Sequence, residues 1–69
     1  MSPALESART HLAELREELA AATAAGLMEH PGYQADIRAE MEWAHAAYVT
    51  AAVTEIASMR AQLSGPQVG

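Results

Sequence analysis

The chain predicts an all-α fold, a two-helix antiparallel hairpin that completes a four-helix bundle or a larger helical assembly by oligomerising. Three observations carry this expectation. Two alanine-rich stretches repeat their apolar residues at helical spacing, and the break Gly26-Leu27-Met28-Glu29-His30-Pro31-Gly32 separates them. The apolar content is also too small for a private core. Hydrophobic residues make up 51% of the 69 positions, but 17 of them are Ala, beside six Leu, two Ile, three Val and no Phe. Ordering each backbone residue costs about 1–2 kcal/mol. Ala burial offsets little of that compared with Leu or Ile, so docking on further helices is expected.

Helix 1 is expected over about residues 3–27. Ser2 offers an N-cap hydroxyl, and Pro3 takes the first helical position, where a missing N–H costs nothing. Leu5, Ala8, Leu12, Leu15, Leu19 and Ala22 then follow at alternating steps of three and four, the spacing of a coiled-coil seam. At 100° per residue they fall within about a third of the circumference. Glu6, Arg9, Arg16 and Glu17 lie on the other side among Ala residues, so one partner helix is expected.

The turn is expected over 28–33. Pro31 cannot donate a backbone hydrogen bond, and Gly26 and Gly32 can take positive φ, so the first helix should stop here. Helix 2 should occupy about 34–63 and end at Ser64-Gly65-Pro66, with 64–69 a tail. Its inward stripe is read as Ile37, Met41, His45, Tyr48, Ala52, Ile56, Met59 and Leu63, with Val49 at one margin.

Folding the chain about residue 30 supplies a register. It sets Leu19 against Met41, Leu15 against His45, Leu12 against Tyr48 and Ala8 against Ala52, large against small or medium side chains. Met59 and Leu63 then project past the start of helix 1 and become candidate intermolecular contacts. Trp43 points away from the stripe on a side shared with Ala47 and Thr50, small residues beside which another backbone can come close. An indole so flanked has the composition of an interface anchor.

Net charge is −5, with Arg9, Arg16, Arg38 and Arg60 the only cations and no Lys, so direct nucleic-acid binding is not expected. The absence of Cys removes disulfides, thiolate metal sites and cysteine nucleophiles, and leaves the cytoplasm as the default location. The longest apolar run, Leu19 to Met28, is short, rich in Ala and interrupted by Thr23 and Gly26. Neither a signal peptide nor a membrane span is expected. Glycine is confined to the turn and the tail, which excludes a phosphate-cradling loop, and no Ser sits within evident reach of a His–acid pair.

Glu42-Trp43-Ala44-His45 is the sharpest chemical motif. Its Glu and His stand at i and i+3 on one helix, where both can reach a single metal ion, and the fold-back register brings Glu18 beside Glu42. On these three residues the pattern is similar to the half-ferritin arrangement, in which a two-helix chain dimerises to complete a carboxylate-bridged di-metal site. That resemblance implies iron or manganese held by Glu18, Glu42 and His45, and ferroxidase-like chemistry. Against it, Glu42 lies at the rim of the inner face with Arg38 one turn away, and a lone His on an apolar face is more often a core residue. His11, Glu14 and Glu18 form another one-sided set, which a solvated helix rim also produces.

The leading expectation is a small non-enzymatic structural or protein-interaction module that needs no cofactor. It would form a homo-oligomer, or dock in a larger protein assembly, through Trp43, Ala47, Thr50, Met59 and Leu63. The di-metal bundle is the alternative. A third reading, an acidic inhibitor or antitoxin-like binder of a basic partner, is permitted by the charge.

Overall fold

A computed structural model describes residues 2–65. Among these residues the chain forms two α-helices joined by a single 3₁₀ turn: α1, Pro3–Ala24, then Leu27–Glu29, then α2, Pro31–Leu63. The two helices pack against each other as a hairpin. The radius of gyration is 17.5 Å, against about 11 Å for a compact chain of this length. The molecule is therefore a rod.

α1 starts as its sequence dictates. The Ser2 backbone is extended, its hydroxyl accepts from the Leu5 N–H at 3.1 Å, and Pro3 opens the helix. The helix ends at Ala24, before the expected boundary near 27, because Gly26 takes the left-handed conformation at φ 78 and donates to the Thr23 carbonyl at 3.1 Å. Gly32 does not share that role. It lies in the first turn of α2, which begins at Pro31 rather than near residue 34. His30 caps α2 through its backbone alone, accepting from the Gln34 N–H at 3.0 Å, and its side chain makes no capping bond. Pro31 thus starts a helix here, since an N1 residue needs no donor.

The core is small. Leu12, Leu15, Ala22, Ile37 and Ala44 are the buried hydrophobics, and Met41 and Tyr48 pack at the edge of the Leu12–Leu15–Ala44 cluster. α1 buries the leucine seam that its spacing announced, with Leu5, Ala8 and Leu19 half-buried beside it. On α2 the inner seam runs through Ile37, Met41, Ala44, Tyr48, Ala51 and Glu55.

That seam corrects the stripe expected for helix 2. His45 is exposed and Ala44, 2% exposed, faces Leu12 and Leu15 in its place; Ile56 is exposed as well. The reason is periodicity. Two helices stay in contact over several turns only if both seams average 3.5 residues per step. The steps from Ile37 to Glu55 through Ala44 alternate four and three, as in α1. The stripe through His45, Ala52 and Leu63 averages about 3.7 residues per step and drifts off the contact line by about 80° over its length.

The Ser2 backbone N–H donates to Glu55 Oε1 at 2.9 Å. The start of α1 is therefore level with Glu55, about three residues closer to the turn than folding about residue 30 implies. Beyond that level α2 continues from Ile56 to Leu63 alone, about 12 Å of helix at 1.5 Å per residue.

Candidate interaction surfaces on the second helix

The faces of α2 follow from its length and from where α1 stops. With the inner seam taken by α1, the exposed large hydrophobics of α2 are Trp43, Val49, Val53, Ile56, Met59 and Leu63. Trp43 is 75% exposed and Leu63 80%. At 100° per residue they divide between two sides. His45, Val49, Ala52, Ile56, Met59 and Leu63 recur at steps of four, three, four, three and four, which makes a second seam about 80° around the helix from the first. Ala52 is half-buried and the other five are exposed. Trp43 lies about 120° from the inner seam on the opposite flank, with Ala47 and Thr50 exposed beside it.

The expected interface residues are thus all exposed, on two separate surfaces. Sequence reasoning placed Ile56, Met59 and Leu63 in one stripe with Val49 at its margin, but assigned that stripe to the inner face and took only Met59 and Leu63 from it as intermolecular contacts. The signal was present in the sequence: counting back from Leu63 in steps of four and three leads to His45, whereas counting forward from Ile37 leads to Ala44.

Of the residues read as metal ligands, Glu18, Glu42 and His45 are all exposed. Among the described residues no group of three or more His, Cys, Asp or Glu side chains is close enough to hold a metal ion. Glu18 meets Tyr33 instead: the phenol is pushed above its ordinary pKa by partial burial, then by the Glu18 charge, a hydrogen bond to Glu18, and the charge of Glu40.

An open groove of about 700 Å³ runs along α1, lined by Glu6, Arg9, Thr10, Arg16 and others, with Tyr48 at its edge. None of the candidate site residues lines it. Its volume reflects openness to solvent more than enclosure, and it contains no nucleophile paired with a base. Among the described residues no helix is long and apolar enough to cross a membrane.

No known protein family, curated protein or solved structure matches the chain.

Proposed function

We propose that this chain is a small helical assembly module, which acts by presenting α2 as a docking surface and carries out no chemistry of its own. One observation carries the reading. The last eight residues of α2 extend past α1, and that overhang bears Ile56, Met59 and Leu63 with more than half of each side chain exposed. A single helix of this length is marginal in water without an apolar face to bury. A continuous apolar stripe on a small chain marks an interaction site, whereas singly scattered exposed residues do not. The arrangement favours homo-oligomerisation, because the stripe repeats at the spacing that helices use to pack on one another.

The test is solution mass by light scattering across a concentration series. Leu63→Asp places a charge in the stripe, and Trp43→Ala removes the indole on the opposite flank. Leu63→Asp is expected to shift the species toward the hairpin monomer, and Trp43→Ala to do so if the assembly exceeds a dimer. A parent chain that stays monomeric at all concentrations, or an unchanged mass in both variants, removes the proposal.

A further inference from the structure

We infer that Glu55 latches the open end of the hairpin: its carboxylate, carried on α2, completes the cap of α1 that the first turn of α1 does not complete for itself. The inference concerns how the hairpin closes and stands independently of what docks on α2.

α1 begins with half of a capping box. In the full motif a Ser or Thr at the N-cap accepts from the backbone N–H three residues on, and a Glu or Gln at that third position accepts in return from the N-cap N–H. The first half is present, since the Ser2 hydroxyl accepts from the Leu5 N–H at 3.1 Å. The Ser2 carbonyl also accepts the first intrahelical bond, from the Glu6 N–H at 3.0 Å. The return bond cannot come from the box position, because that position is Leu5, a half-buried member of the leucine seam. The nearest acid, Glu6, stands one residue too late. Packing takes the place of capping at position 5.

α2 supplies the missing acceptor. The Ser2 N–H donates to Glu55 Oε1 at 2.9 Å, across 53 positions of sequence. Both residues are half-buried, and Glu55 is the one charged member of an inner seam that otherwise runs Ile37, Met41, Ala44, Tyr48 and Ala51. A half-buried carboxylate and a half-buried N–H are each costly unless paired, so each accounts for the other. The carboxylate also brings negative charge to the positive end of the α1 dipole. Because this bond exists only when the helices are docked, the first turn of α1 and the closure of the hairpin stabilise each other. The same side chain marks where cover by α1 ends and the free segment of α2, from Ile56 to Leu63, begins.

The test is backbone NMR of the parent, Glu55→Ala and Glu55→Gln chains at one pH and one protein concentration, since assembly also changes stability. Ala at position 55 keeps α2 helical. In Glu55→Ala the Ser2 amide proton should move upfield as its acceptor is lost. Opening of the first turn should rise about tenfold, the lower end for one hydrogen bond to a charged group, and is read as lost helical Cα shift at Ala4, Leu5 and Glu6. Residues 14–18 should keep their helical shifts. Glu55→Gln retains an oxygen acceptor without the charge and should lose less than Glu55→Ala. A Ser2 amide shift or first-turn helical shifts unchanged in Glu55→Ala overturn the inference. Equal losses at residues 4–6 and 14–18 also overturn it, because Glu55 would then support the whole hairpin rather than its open end. A loss in Glu55→Gln as large as in Glu55→Ala overturns the role of the acceptor oxygen.

Discussion

Replacing Ala44 with Leu tests the phase of the hairpin more directly than any other single change. Ala44 is 2% exposed and sits in one cluster with Leu12 and Leu15, flanked by Met41 and Tyr48. A Leu there adds an isopropyl group where the two helices approach, and overpacking of this kind costs about 1–3 kcal/mol. Helix propensity contributes only a small part of that, since Ala and Leu are both strong helix formers. For a domain of this size each kcal/mol lowers the melting temperature by about 4–8 °C, so Ala44→Leu should melt about 4–24 °C below the parent. The comparison is His45→Ala. His45 is exposed, and Ala has the better helix propensity, so this change should stay within about 0.5 kcal/mol of the parent. Both are measured by far-UV circular dichroism melts at one protein concentration, because assembly couples stability to concentration. A His45→Ala chain that melts below Ala44→Leu would show that His45, not Ala44, lies between the helices, and would refute the seam assignment.

Two further predictions concern the turn. Gly26→Ala should destabilise by about 1–2 kcal/mol, the cost of placing a side chain at positive φ, although nothing lies within 4 Å of the added Cβ. Gly32→Ala, equally unobstructed but inside α2, should stabilise by up to about 1 kcal/mol, and a loss of stability at Gly32 in chemical denaturation would contradict its helical assignment. The Tyr33 phenol should titrate above the ordinary tyrosine value, followed by tyrosinate absorbance in a Tyr48→Phe background; Glu18→Gln should lower the midpoint without restoring it fully, since partial burial is the first cause. A pKa raised in the fold means the contribution of Tyr33 is complete below the unfolded value and disappears as pH rises through the folded one. An unshifted midpoint in the Glu18→Gln chain would show that the two side chains do not interact.

The hairpin itself was legible because its signals are local. Ser2-Pro3 caps α1 through the hydroxyl and ring that the sequence displays, the leucine seam is buried where its spacing puts it, and the helix ends near Gly26. The turn was less legible. Pro31 reads equally as a stop for an incoming helix and as the first residue of an outgoing one, and Gly26 alone satisfied the stop. The inner face of α2 was ambiguous for a similar reason. Met41 is followed by apolar or weakly polar choices at both 44 and 45, and local pattern does not choose between a step of three and a step of four. Only the requirement to stay in contact with α1 chooses Ala44. The candidate metal motif depended on that choice, because the inward placement of His45 was its best support.

The same choice gives the uncovered stripe its meaning. Had His45 and Ile56 belonged to the inner face, α2 would carry one drifting stripe that leaves α1 gradually, and the exposure of Met59 and Leu63 would be the frayed end of an ordinary hairpin. With Ala44 inside, α2 carries two seams of equal period, each suited to a helix. α1 occupies the first only as far as Glu55. The second begins within the hairpin, at His45 and Val49, and becomes most apolar where α1 is absent. Steps of four and three recur on any face of a helix, and what distinguishes this one is that Val49, Ile56, Met59 and Leu63 are all large, apolar and exposed. The apolar character of that run, rather than its period, is what the proposed docking surface rests on.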